Sequence, residues 1–110
     1  MEIVLLCNHN IANYMPHYII LLNWAEQGIR NVKDTIKRAE NFKAAVERAG
    51  RKLVSFDYTL GKYDMVTIVE APNDETIMST ILATASLGNV RSETLKAFTM
   101  DEAAKIIERV

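Results

Sequence analysis

Two short segments of the chain are apolar at nearly every position rather than at every second one. Residues 18–22 read YIILL and residues 65–69 read MVTIV. Successive side chains of a strand point to opposite faces of the sheet, so such runs are typical of strands covered on both faces. The pattern predicts two central strands, and any fold of this chain must cover both sides of them.

The surrounding segments predict the element order β-α-β-β-α-β-α. Strands are predicted over residues 16–24, 52–60, 63–70 and 90–98, with the second and fourth at the polar edges of the sheet. A short helical turn over 24–32 precedes a longer helix, which has Asp34 or Thr35 as a cap and ends at Gly50. A further helix is predicted over 72–87, with Gly88 closing it. A capping box, Thr99-x-x-Glu102, begins the last helix.

This order is the split βαβ plan. We therefore predict an α+β, ferredoxin-like βαββαβ sandwich with a four-stranded antiparallel sheet and an extra C-terminal helix. The second and third strands are separated by Gly61-Lys62, which fits a two-residue type II′ turn with a positive φ at the glycine.

Composition narrows the class of protein. The chain has 110 residues, 49% apolar and 25% charged, with a net charge of −1, as expected for one globular domain. It lacks the basic stripe of a nucleic-acid binder and any membrane-spanning segment, so we expect neither partner. The single cysteine, Cys7, cannot form an internal disulfide, and two histidines without further cysteine ligands make no structural zinc site. We expect a cytoplasmic protein without metal or cofactor.

The first 14 residues are interpreted as an extension, because a second methionine, Met15, immediately precedes the first clear strand. Residues 15–110 then form the domain. Alternatively, residues 3–7 add a short strand to a sheet edge.

One face of the predicted sheet lacks a cover. Right-handed crossovers place both crossover helices on the same side. Burying about four aliphatic side chains on the other side stabilises the fold by roughly 6 to 12 kcal/mol. This is comparable with the stability of a whole domain, so we expect that side to be covered. A second copy packing sheet to sheet would bury these side chains, and we expect a homodimer. The alternative is that the last helix or residues 3–7 fold over that face.

Three short motifs stand out at residues 60–64 (LGKYD), 70–74 (EAPND) and 87–94 (LGNVRSET). They resemble the GYD-domain family of small uncharacterised proteins. The similarity implies a dimeric α/β barrel and no established biochemical role. A weaker similarity links the hairpin and fourth strand to the ligand-sensing domains of feast/famine regulators, without their DNA-binding segment. The chain departs from the GYD pattern at Thr35-Ile36, where a small polar residue followed by proline is expected.

Candidate site residues cluster around the predicted hairpin. Asp57, Thr59, Tyr63 and Asp64 are the ligand-binding candidates, and Gly61 and Gly88 are structural. The structural alternatives are that Asp64 caps turn amides and that Tyr63 packs in the core or an interface.

His17 or Asp64 would serve as base in an enzyme, since an imidazole beside a carboxylate makes an acid/base pair. No phosphate loop or nucleophile elbow is present, so catalysis would rest on dispersed residues. The sequence thus predicts a homodimeric module with a binding or regulatory role, which holds a small organic ligand. The alternatives are a cofactor-free oxygenase or isomerase and a purely structural assembly module.

Overall fold

The computed structural model describes residues 15–110; the possible edge strand at 3–7 lies outside them. The elements follow the predicted order, with a short 3-10 turn at Val32–Asp34 before the second helix. They are β1 (His17–Trp24), α1 (Glu26–Arg30), α2 (Thr35–Arg48), β2 (Lys52–Tyr58), β3 (Met65–Glu70), α3 (Asp74–Ala85), β4 (Val90–Ala97) and α4 (Met100–Ile107).

The four strands form one antiparallel sheet in the order β2-β3-β1-β4. The two apolar runs are therefore the central strands, as predicted, and the fold is α+β and ferredoxin-like. Within residues 15–110, no helix is long and apolar enough to cross a bilayer.

The core lies between one face of the sheet and the helices α2 and α3. Val46 of α2 and Ile77 of α3 are buried against alternate residues of the central strands. The sheet residues of this core are Tyr18, Ile20, Leu22, Met65 and Val69. The other face, which we call the open face, presents the intervening residues of the same strands, so the two-sided pattern is explained by one covered and one open face.

The side chains of β2 do not alternate strictly between the two faces of the sheet. A register shift between Leu53 and Ser55 leaves Val54 unpaired and 44% exposed, and places Leu53 opposite Val69 on the covered face. The buried hydroxyl of Thr67 donates a 2.7 Å hydrogen bond to the carbonyl of Ser55, which supports the backbone beside the bulge. A bulge of this kind inserts one extra residue and re-aims the side chains beyond it.

The prediction of a two-residue turn between β2 and β3 is wrong, although Gly61 does have a positive φ of 120°. Pairing of β2 with β3 ends at a 2.8 Å hydrogen bond from the N–H of Thr59 to the carbonyl of Asp64. Residues 60–63 therefore form a longer turn. The Thr59 hydroxyl donates to the carbonyl of Tyr63 and closes this turn from within.

The helix ends differ in how they are capped. The Asn73 side chain accepts a hydrogen bond from the N–H of Thr76 at the start of α3, and the predicted capping box of α4 is present. Asp34 precedes α2 but makes no side-chain cap, because the 3-10 turn runs directly into the helix. Gly50 and Gly88 have positive φ, as expected at helix ends.

One buried hydroxyl connects the core to the surface. Tyr18 is 2% exposed and donates a hydrogen bond to the carboxylate of Asp74, whose Oδ1 also lies 3.0 Å from Lys96 Nζ. The Tyr18 hydrogen bond, followed by that of Lys96, holds the pKa of Asp74 below its usual range. The first turn of α3 is thereby attached to β1 and β4.

Candidate functional site

The open face carries a continuous aliphatic patch. Ile19 lies opposite both Ile68 and Leu95, and Leu21 lies opposite Val66. The four central residues are half-buried by their neighbours, and Leu95 is 45% exposed. We call these five residues the aliphatic patch. The apolar side chains of α4 also remain exposed, with Met100 at 89% and Ile107 at 65%.

The turn after β2 places part of the predicted ligand site at one end of this patch. Thr59 and Tyr63 line a shallow depression of about 270 Å³ together with Leu21 and Val66. Asp57 lies opposite Val66 in the sheet and is exposed. The structure thus brings Thr59, Tyr63 and Asp57 to the same corner of the open face.

Asp64 is engaged with the backbone instead. Its carboxylate accepts a 3.0 Å hydrogen bond from the N–H of Trp24, and its own N–H donates to the carbonyl of Leu22. These two bonds attach the turn to the end of β1, which corresponds to the turn-capping alternative considered for this residue.

Tyr63 reaches across the open face to the edge strand. Its hydroxyl donates a 2.6 Å hydrogen bond to Glu93 of β4, and Lys62 Nζ lies 5.6 Å from the centre of its ring. The hydrogen bond to the Glu93 carboxylate is the main cause that raises the pKa of Tyr63 above its usual value.

His17 lies at the opposite end of β1 from Asp64, so the structure does not bring the two candidate bases together. The His17 Nε2 instead lies 3.2 Å from Glu70 Oε2, and both side chains are about a quarter exposed. Four strand positions separate His17 from Leu21, or about 13 Å along the strand. His17 is therefore remote from the depression beside Tyr63.

A larger cavity lies on the covered face, in a position that the sequence did not indicate. It is a cleft of about 390 Å³ between α2, the end of α3 and the sheet. Leu22 and Met65, which are nearly fully buried, contribute to its lining from the central strands. Trp24, Phe42 and Phe56 add aromatic surface. Among residues 15–110, no group of three His, Cys, Asp or Glu side chains is arranged to hold a metal ion.

Among residues 15–110, Arg38 is the one charged residue that lines this cleft. It is half-buried, and its guanidinium donates hydrogen bonds to the carbonyls of Asn31 at 2.9 Å and Gly28 at 3.1 Å. Its partners are backbone carbonyls of a preceding turn, and no sequence pattern identifies such acceptors.

The comparisons with known proteins agree with the motifs. A relative from Thermus thermophilus, named "Glutamine synthetase and cystathionine beta-lyase binding protein", is 32% identical over 84 residues, which are 76% of this chain and 88% of the relative. No solved structure matches the chain significantly. The GYD domain family matches residues 18–107. This chain is a member of the GYD domain family.

Proposed function

We propose that this protein is a homodimeric binding protein that pairs through its open face and recognises other proteins. The observation that carries the proposal is the aliphatic patch, which no described element of the chain covers. A binding or regulatory role agrees with the family and with the relative whose name describes a binding protein.

The exposed apolar residues of α4 oppose the alternative in which the last helix folds over the open face. A last helix folded over the open face would bury its own apolar side, yet Met100 and Ile107 remain exposed. Phe98, between β4 and α4, is also 54% exposed. Two uncovered apolar surfaces on one chain are better explained by a second copy that covers both.

The size of the face supports the participation of α4. Four strands of about seven residues present a surface of roughly 19 by 23 Å. A stable interface buries about 800 Å² on each partner, more than this flat area supplies. In the proposed dimer, α4 of each copy extends the contact beyond the sheet edge.

Protein partners follow from the relative's name. Glutamine synthetase and cystathionine β-lyase are the first two targets to test, because the relative is named for binding them. The small-ligand site predicted from Asp57, Thr59, Tyr63 and Asp64 stays a prediction, and it would lie at the rim of the proposed interface. Neither cavity described above is lined by His17, so no specific observation favours the oxygenase or isomerase alternative.

Sedimentation tests the pairing. The wild type is expected to sediment as a dimer of twice 12.4 kDa. Leu21→Lys places a charge in the aliphatic patch and is expected to give a folded monomer. Met78→Lys, at a 62% exposed position of α3, is the matched control and should remain dimeric. A monomeric wild type at micromolar concentration would refute the pairing.

Biolayer interferometry with purified glutamine synthetase and cystathionine β-lyase of the same organism tests recognition. Saturable binding of either enzyme by the wild type and by Met78→Lys is expected. If neither enzyme binds, these protein targets are wrong, whatever the sedimentation result.

A further inference from the structure

The cleft on the covered face has the dimensions of a small-molecule site. Its volume of about 390 Å³ falls within the range of roughly 300 to 1,000 Å³ that is usual for ligand pockets. Both helices contribute alanines to its lining, Ala39 and Ala45 from α2 and Ala83 from α3. Nothing on these short side chains fills the space above the sheet.

The interior of the cleft is aromatic and aliphatic. Phe42 and Phe56 meet edge to face, with ring centres 6.5 Å apart, and Trp24 stacks on Tyr58 at 6.4 Å. The Trp24 indole N–H donates to the Thr35 hydroxyl at 3.4 Å, so the ring is held in place. This lining favours an apolar, preferably aromatic, ligand body.

The charge at the rim of the cleft is positive and fixed. The guanidinium of Arg38 has five N–H donors, and the hydrogen bonds to Asn31 and Gly28 use two of them. Both partners are neutral carbonyls, and Arg38 makes no ion pair within residues 15–110. Within the part of the chain that the structure describes, no Asp or Glu lines the cleft. The remaining donors and the uncompensated charge fit a carboxylate.

We propose that the cleft between α2 and α3 binds a small hydrophobic monocarboxylic acid, with its apolar body among Trp24, Phe42 and Phe56 and its carboxylate on Arg38. The site is separate from the aliphatic patch, on the other face of the sheet. It therefore does not depend on the pairing or on the protein targets proposed above.

Trp24 supplies the readout, because it is the only tryptophan of the chain and lines the cleft. The probe is 4-(4-bromophenyl)butyrate, whose bromine quenches indole fluorescence on contact. Its neutral amide, 4-(4-bromophenyl)butanamide, has the same body without the charge. Saturable quenching by the acid is expected, with a Kd about tenfold lower than that of the amide, as one charge-assisted hydrogen bond provides.

Two pairs of variants locate the binding. Arg38→Gln is expected to abolish the preference for the acid, whereas Arg48→Gln, an exposed change on the same helix, should retain it. Ala39→Leu fills the cleft and is expected to weaken binding of both probes at least about tenfold. Ala44→Leu, an exposed change on the same helix that does not line the cleft, is its control.

Circular dichroism confirms that each variant is folded. The proposal is overturned if the wild type shows no saturable quenching, if acid and amide bind equally, or if Ala39→Leu binds as the wild type does. The Ala39→Leu result remains decisive even if Arg38→Gln disturbs the turn that the Arg38 guanidinium supports.

Discussion

Asp64 and Trp24 are joined by a 3.0 Å hydrogen bond, in which the Asp64 carboxylate accepts from the backbone N–H of Trp24, forty positions away along the chain. The bond lies where β1 ends and where the β2–β3 turn leads into β3. The acidic residue of the LGKYD motif therefore has a structural role that its position beside a turn only partly indicated.

Asp64→Ala is expected to destabilise the protein by about 1–3 kcal/mol, because the half-buried Trp24 N–H loses a charged acceptor. Asp64→Asn should cost less, since an amide oxygen can still accept the bond. Urea denaturation of both variants measures the difference. An Asp64→Ala variant as stable as the wild type would show that the bond contributes no net stability.

Gly28 in α1 is buried directly against the backbone of Asn89. A Cβ at this position would lie 2.0 Å from the Asn89 carbonyl oxygen, which already accepts the N–H of Ala25 at 2.9 Å. Gly28→Ala is therefore expected to destabilise by about 2–3 kcal/mol through steric overlap, despite the better helix propensity of alanine. The measurement is the denaturation midpoint.

Lys37→Ala, an exposed change on α2, is the control and should leave that midpoint nearly unchanged. If Gly28→Ala also had the denaturation midpoint of the wild type, the contact between α1 and Asn89 would not be tight enough to exclude a methyl group.

The sequence predicted the fold well where a local pattern and the tertiary structure agree. The apolar runs at 18–22 and 65–69 are central strands, and the capping box at Thr99 depends only on neighbouring residues. The bulge at Val54 was missed because β2 alternates plausibly in either register. Pairing with β3 and the Thr67 hydroxyl select one of them.

The candidate site was less predictable, for a geometric reason. Thr59 and Tyr63 do meet at the open face, because a turn brings neighbouring residues together. The cleft instead depends on how far α2 and α3 stand apart, which is set by packing between distant segments. In the sequence, Ala39 and Ala83 are ordinary helix residues, and only the spacing of the two helices shows that they line a cleft.

Tyr63 and Glu93 provide a test by titration. Because the hydrogen bond to the Glu93 carboxylate raises the pKa of Tyr63 above 10.0, the folded chain retains the phenol proton better than the unfolded chain. This contribution to stability is present below pH 10.0 and is lost as the pH rises through the folded pKa. Glu93→Gln removes the carboxylate charge, so the pKa of Tyr63 should fall toward its usual value. Phenolate absorbance, with Tyr63→Phe subtracted to isolate this residue, measures the shift, and an unchanged titration in Glu93→Gln would contradict the assignment.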